Sequence, residues 1–142
     1  MDGGTYTLVL ERETDGPIQV GALGDIAFPA GWYAYTGSAL GSGGFSRVER
    51  HRAVASGENG ARHWHIDYLL GDDATSVGTV VTTAADIECV VARRLVDAVG
   101  DAVPDFGCSD CGCRSHLVGC AGCEELVAAV ERAHDVASSE RG

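Results

Sequence analysis

The run Gly31-Trp-Tyr-Ala-Tyr-Thr-Gly-Ser-Ala-Leu-Gly-Ser-Gly-Gly-Phe-Ser-Arg-Val-Glu-Arg-His-Arg52 admits few arrangements. Trp32 to Thr36 is aromatic and β-branched, the composition of a strand. Gly37 to Gly44 is a glycine and serine loop, where the backbone turns sharply and a ligand can approach it closely. From Phe45 the spacing becomes helical: Phe45, Val48 and Ala55 face inward, while Arg47, Arg50 and His51 share another face. A strand, a glycine loop and a helix start bearing cations make an element suited to phosphate. The plainer reading is a flexible connection followed by a solvated basic helix face.

Around this run the chain alternates between strand and helix patterns. Thr5 to Glu11 has Tyr6, Leu8 and Leu10 on one face and Thr5, Thr7 and Val9 on the other, the two-residue period of a strand. Asp15-Gly16-Pro17 reads as a turn, and Ile18 to Val20 and Ile26 to Phe28 as a short hairpin around Gly21 and Gly24. Tyr33 and Tyr35 share one face of the central strand, so in an antiparallel sheet Tyr35 and Tyr6 can meet. Ser76 to Thr83 reads as a third strand. Asp86 then caps a helix from Ile87 to Val99, with Ile87, Val91, Leu95 and Ala98 inward. A last helix, 124–137, carries Leu126, Val130, Ala133 and Ala137 at helical spacing. The expectation is a single α+β domain over residues 1–142, a small and mainly antiparallel sheet of about three strands flanked by helices.

Charge is the feature that a nucleic-acid reading must overcome. Acidic residues number 21 against 10 basic, all of them Arg, for a net charge of −11. Such a balance ordinarily argues against a polyanionic partner. Yet residues 47–65 hold Arg47, Arg50, Arg52 and Arg62 with His51, His63 and His65, against only Glu49 and Glu58. An acidic, lysine-free surface suits a halophilic cytoplasm. At molar salt the Debye length shrinks to about 3 Å, and distant carboxylates scarcely repel a polyanion held by contacting Arg. The overall charge is read as habitat and the local basic patch as function. No apolar run reaches membrane-spanning length and the N-terminal stretch lacks a signal-peptide pattern, so the chain is expected to be cytoplasmic with no membrane partner. Oligomeric state stays open.

Two further clusters offer ligands. His63-Trp-His-Ile-Asp-Tyr-Leu69 aligns His63 with Asp67 if helical, and His63, His65 and Asp67 if extended. Either can meet a cation or a phosphate; histidines bonded within the structure are the plainer reading. Cys108-x2-Cys111, eight residues, then Cys120-x2-Cys123 suits a four-thiolate Zn²⁺ site, with Cys113 and His116 as additional candidates and free thiols packed in a loop as the alternative. Residues 106–123 are read as a Cys-rich loop, and Cys89 as a buried thiol within the third helix. No thioredoxin-like pattern surrounds either pair, which weighs against a thiol redox protein.

Gly4-Thr5-Tyr6, Tyr35-Thr36-Gly37, Arg47 and Glu88 stand in an order and at separations that resemble the motif set of the GIY-YIG nucleases. The version Tyr-Thr-Gly-Ser-Ala-Leu-Gly, followed by Arg50-His51 and by His63 to Leu69, is similar to the compact Uri-type branch, and the likeness runs from about Gly4 to Gly119. The resemblance implies a metal-dependent endonuclease that hydrolyses nucleic-acid phosphodiesters, with DNA ahead of RNA. It implies that Glu88 carries Mg²⁺ or Mn²⁺, that Arg47 stabilises charge building on the phosphoryl group, and that Tyr35 orients the water or phosphate. Tyr6 and His51 are both candidate general bases; a Tyr6 base requires surroundings that favour phenolate. Gly37, Ser38, Arg50, His63 and His65 are the candidate substrate contacts. The chain departs from the family pattern in its late Asn: the only Asn here is Asn59, in a glycine loop, so the position is either taken by His65, Asp67 or Ser115 or absent, and its absence would weaken or abolish catalysis. The competing class is a non-catalytic nucleic-acid-binding or zinc-stabilised interaction module on the same fold.

Overall fold

Strand β1 (Thr5–Arg12) is the centre of the molecule, and its alternation divides the interior in two. In the computed structural model, which describes residues 4–39, 46–57, 65–72, 74–99, 101–103, 106, 115–120 and 122–141, β1 lies between β4 (Gly31–Ser38) and β5 (Thr75–Thr83). Both pairings are antiparallel, and β7 (Leu117–Cys120) and the two-residue β6 (Asp101–Ala102) extend the sheet in the order β5-β1-β4-β7-β6. Five strands thus replace the expected three. The additional pair was missed because β7 lies within the stretch read as a Cys-rich loop, where Leu117-Val118-Gly119-Cys120 is too short to show a period. Residues Gly16–Gln19 (β2) and Asp25–Phe28 (β3) form the expected hairpin, as a separate two-stranded sheet; the turn before it falls earlier than Asp15-Gly16-Pro17, because Gly16 and Pro17 already belong to β2.

One face of the sheet carries Tyr6, Leu8, Leu10, Tyr33, Tyr35 and Leu117. It is covered by helices α1 (Ser46–Ser56) and α2 (His65–Leu70), and by Val20 and Phe28 of the hairpin region. The opposite face presents Val9, Ala34 and Val118 to α3 (Glu88–Val99) and α4 (Cys123–Arg141). The split follows from the pleat: successive side chains of β1 point to opposite layers. Helix α4 buries Leu126, Val130, Ala133 and Ala137 as their spacing predicts, and runs on to Arg141. In α3, Ile87 just before the helix, Val91 and Leu95 face inward with Ala92 and Val96, whereas Ala98 is exposed. Among the described residues no helix is long and apolar enough to cross a membrane.

Arg12 ties the hairpin to the main sheet. Its buried guanidinium donates to the carbonyls of Phe28 and Gly16, to Thr75 Oγ1 and to the Asp72 carboxylate at 2.6 Å. A charge so deeply buried is tolerable only with this many acceptors around it.

Candidate active site

The two glycine-containing triplets meet at one end of the β1–β4 pair, where Tyr6 lies opposite Gly37 and Leu8 opposite Tyr35. Each of their six residues has a physical task there. A Cβ at Gly37 would stand 2.4 Å from the Tyr6 phenol oxygen, so the ring can cross β4 only above a glycine. A Cβ at Gly4 would stand 2.1 Å from the Thr83 carbonyl, so Gly4 lets the chain leaving β5 close onto β1. Thr5 Oγ1 donates to the Ala85 carbonyl at 2.8 Å and accepts from the Ile87 N–H at 3.0 Å, fixing the turn that delivers Glu88. Thr36 bonds His116 twice through its backbone, accepting from its ring at 3.0 Å and donating to its carbonyl at 2.9 Å.

Tyr6 and Tyr35 converge with ring centroids 6.5 Å apart, and His51 packs against both at 5.4 and 6.2 Å. The Tyr6 hydroxyl is 2.7 Å from His51 Nε2. His51 was expected on a face with Arg47 and Arg50, apart from the inward Val48, but it is fully buried with Val48 and Val54 along the inner stripe of α1. Its position three residues from each of those valines is the reason. Burial drops the His51 imidazole to about 4, against the counter-pull of Asp67, with Arg50 and Arg47 adding to the fall. Burial likewise pushes the Tyr6 phenol well above its ordinary range. Arg47 and Arg50 pull it down, and Glu88 and Asp67 push it further up. Of the two means by which a Tyr6 base would gain phenolate-favouring surroundings, a metal or Arg47, the guanidinium alone is outweighed by desolvation. Tyr35 is raised for the same reason, then by Tyr6 and Glu88.

Arg47 is half-buried and donates to the Ser38 carbonyl at 2.7 Å, which anchors its guanidinium at the end of β4. Arg50, the candidate substrate contact, grips the fully buried Asp67 with two hydrogen bonds of 2.9 Å, and that bond holds its guanidinium above the ordinary range. The pair fastens α1 to α2, so Arg50 supports the site by holding Asp67 near His51. His65 packs edge-on against Phe106 at 5.6 Å, and Phe106 in turn against Tyr35 at 6.1 Å, making His65 the outer end of an aromatic row. His63, Cys108, Cys111 and Cys113 lie outside the described residues. Cys120 and Cys123 are half-buried thiols, while Cys89, read from sequence as a buried thiol, is joined in a disulfide.

Glu88 opens α3 on the other side of the sheet, about one fifth exposed, and its charge is felt at both tyrosines. Its Oε2 is 3.0 Å from His116 Nδ1, a contact that the sequence reading missed because it weighed His116 only as a zinc candidate. Ser115 Oγ bonds the Leu117 backbone, Asp67 holds Arg50, and His65 stacks on Phe106. Also missed was His134 of α4, buried between Thr7 Oγ1 and Thr83 Oγ1 at 2.8 Å each, with Thr7 passing the network on to Thr36 at 3.1 Å. A histidine next to the apolar stripe of α4 was the available signal.

A lone, partly exposed carboxylate fits an oxygen-seeking divalent ion such as Mg²⁺ or Mn²⁺, which takes one or two protein carboxylates and keeps several waters. Among the described residues no three His, Cys, Asp or Glu converge on one point. A groove of about 420 Å³ lined by Phe28, Pro29, Trp32, Tyr33 and Cys120 lies toward the Gly31 end of β4, away from Tyr6 and Gly37. Neither a curated protein nor a solved structure matches the chain. The model of the family described as "Domain of unknown function DUF123" does match, over residues 5–139, and since this covers β1 through most of α4, the chain belongs to that family.

Proposed function

We propose that the protein is a metal-dependent endonuclease of the GIY-YIG kind, Uri-type, acting on DNA ahead of RNA. The observation that carries this reading is the convergence of Tyr6, Tyr35 and His51 beside Arg47, within electrostatic reach of Glu88. When bound at Glu88, Mg²⁺ or Mn²⁺ would supply Lewis acidity toward the scissile phosphate and the leaving oxygen. Arg47, half-buried and pinned by Ser38, offers a fixed positive charge to the phosphoryl oxygens, whose charge builds in the transition state.

In this reading Tyr6 and His51 act in series, one relaying its proton to the other. Near neutral pH both are uncharged, and in the tautomer that carries the imidazole hydrogen on Nδ1 the 2.7 Å bond is phenol donating to imidazole. As water attacks phosphorus, its proton passes to the Tyr6 oxygen while the Tyr6 proton moves to His51 Nε2. The phosphorus–oxygen bond to the leaving group breaks, and that oxygen takes a proton from solvent. Burial, Arg50 and Arg47 oppose the charge gained by His51, and Asp67, gripped by Arg50, offsets part of that opposition while the proton is in transit. No free phenolate is needed, which suits a site where burial opposes one.

The test is a panel of labelled single-stranded, duplex, flap and branched DNAs with Mg²⁺ or Mn²⁺ at high KCl, with RNA counterparts. Metal-dependent cleavage supports the reading. Binding without cleavage favours the non-catalytic module on the same fold. A structural Zn²⁺ held by Cys108, Cys111, Cys120 and Cys123 and a cytoplasmic location belong to the same proposal. Native mass spectrometry, showing one bound Zn²⁺ or apoprotein only, decides the zinc.

A further inference from the structure

We propose that His116 is the positioning residue of the carboxylate site: its Nδ1–H holds Glu88 in the orientation that receives the divalent ion. The inference rests on the reading of Glu88 as metal ligand. His116 stands at the head of β7, and its main chain is fixed on two sides, donating to the Phe106 carbonyl at 2.9 Å and accepting from the Thr36 N–H at 2.9 Å. The ring is almost wholly buried, and Nδ1 lies 3.0 Å from both the Thr36 carbonyl oxygen and Glu88 Oε2. A carbonyl oxygen only accepts, so Nδ1 carries a hydrogen that it donates to Thr36, and the positive end of that N–H group lies against the Glu88 carboxylate as a close charge contact. Glu88 is thereby held from two directions. The Thr5 hydroxyl sets the backbone immediately before it, and His116 restrains one of its oxygens. Partners of this kind around a ligating group commonly change metal affinity or activity by about 10- to 100-fold.

The same contact accounts for the late Asn that the chain lacks. An asparagine places its amide N–H near where a histidine places Nδ1–H, so one donor to the carboxylate can be supplied by either side chain. His116→Asn should therefore retain the interaction, and His116→Leu should abolish it.

The experiment is Mn²⁺ titration of the substrate-free protein at high KCl, with free Mn²⁺ read by electron paramagnetic resonance. Four proteins are compared: parent, His116→Leu, His116→Asn and Glu88→Gln, each checked for folding by circular dichroism. The expected result is that Mn²⁺ affinity falls about 10-fold or more in His116→Leu, returns to within a few-fold of the parent in His116→Asn, and is lost in Glu88→Gln. In cleavage assays His116→Leu should need more Mn²⁺ for half-maximal rate while KM for DNA stays unchanged. A folded His116→Leu that binds Mn²⁺ like the parent, or a His116→Asn no better than His116→Leu, overturns the inference. If His116→Leu does not fold, side-chain ¹⁵N NMR of the parent and of Glu88→Gln decides. An unshifted His116 Nδ1 resonance, or a tautomer without a hydrogen on Nδ1, overturns it. Parent protein that binds Mn²⁺ through Glu88 and His116 yet cleaves nothing would sink the nuclease reading and leave this one standing. Mn²⁺ bound equally by Glu88→Gln would remove both.

Discussion

Glu88 and Arg47 approach the tyrosine pair from different elements, and neither helps to fill the core. On the nuclease reading proposed above, replacing either removes a charge that acts on the reacting phosphate. Glu88→Gln and Arg47→Ala should each lower cleavage by about 100-fold or more with the fold retained. Cleavage by both variants at the parent rate would show that the site lies elsewhere. Gly37 makes a different demand, because a methyl group there collides with the Tyr6 hydroxyl at 2.4 Å. Gly37→Ala must displace the phenol, so it should cost about 1–3 kcal/mol of stability and detach Tyr6 from His51. Thermal unfolding and activity measured on one preparation check this; a variant equal to the parent in both would mean the ring has another resting place. Single residues were also where the sequence was most legible. Tyr6, Tyr35 and their shared face follow from a two-residue period, which the backbone enforces. The burial of His51 did not follow from helical spacing alone, because only the packed sheet decides which stripe of α1 is inner.

At the scale of elements, what sequence patterns left hidden are the joints. Thr5 fixes the start of α3, His116 links β7 to α3, and His134 links α4 to β1 and β5. These contacts join residues far apart in the chain, so no local period announces them. Strand β7 was missed for the same reason, since its pairing with β4 defines it more than its own four residues do. The His134 joint has a pH signature. Burial holds its imidazole at about 4, below the ordinary 6.5, so the unfolded chain binds a proton that the folded one refuses. Stability from this group is therefore complete above about pH 6.5 and is lost as pH falls toward 4, by up to roughly 3 kcal/mol. His51, also lowered to about 4, contributes in the same direction. In His134→Gln the titration is removed. The stability of the parent relative to this variant should shrink between pH 6.5 and 4 in chemical denaturation; a constant difference would show that the buried imidazole does not titrate there.

The whole molecule carries a net charge of −11, and its basic residues include a concentration on and around α1. Unscreened, the acidic surface repels itself and any polyanion, so both melting temperature and DNA cleavage should rise from dilute to molar KCl. A melting temperature independent of KCl would separate the composition from any salt requirement. The α+β class with an antiparallel sheet was legible from the alternation of strand and helix periods. The sheet's full width was not, since the two strands beyond β4, β7 and β6, are four and two residues long.

The sheet order has a consequence for how the protein comes into being. Tyr6 and His51 are 45 residues apart, Thr36 and His116 are 80 apart, and Thr7 and His134 are 127 apart. Such closures are entropically costly and form late, which places the chain among slow folders for its size. A ribosome that has released only the first half has produced both tyrosines, Arg47 and His51 without Glu88, so no partial product holds the whole constellation. On refolding from denaturant, circular dichroism of the sheet and cleavage activity should return in one slow phase. Activity recovered ahead of the sheet would contradict this, because the strand that receives the chain's last helix is the same one that carries Tyr6.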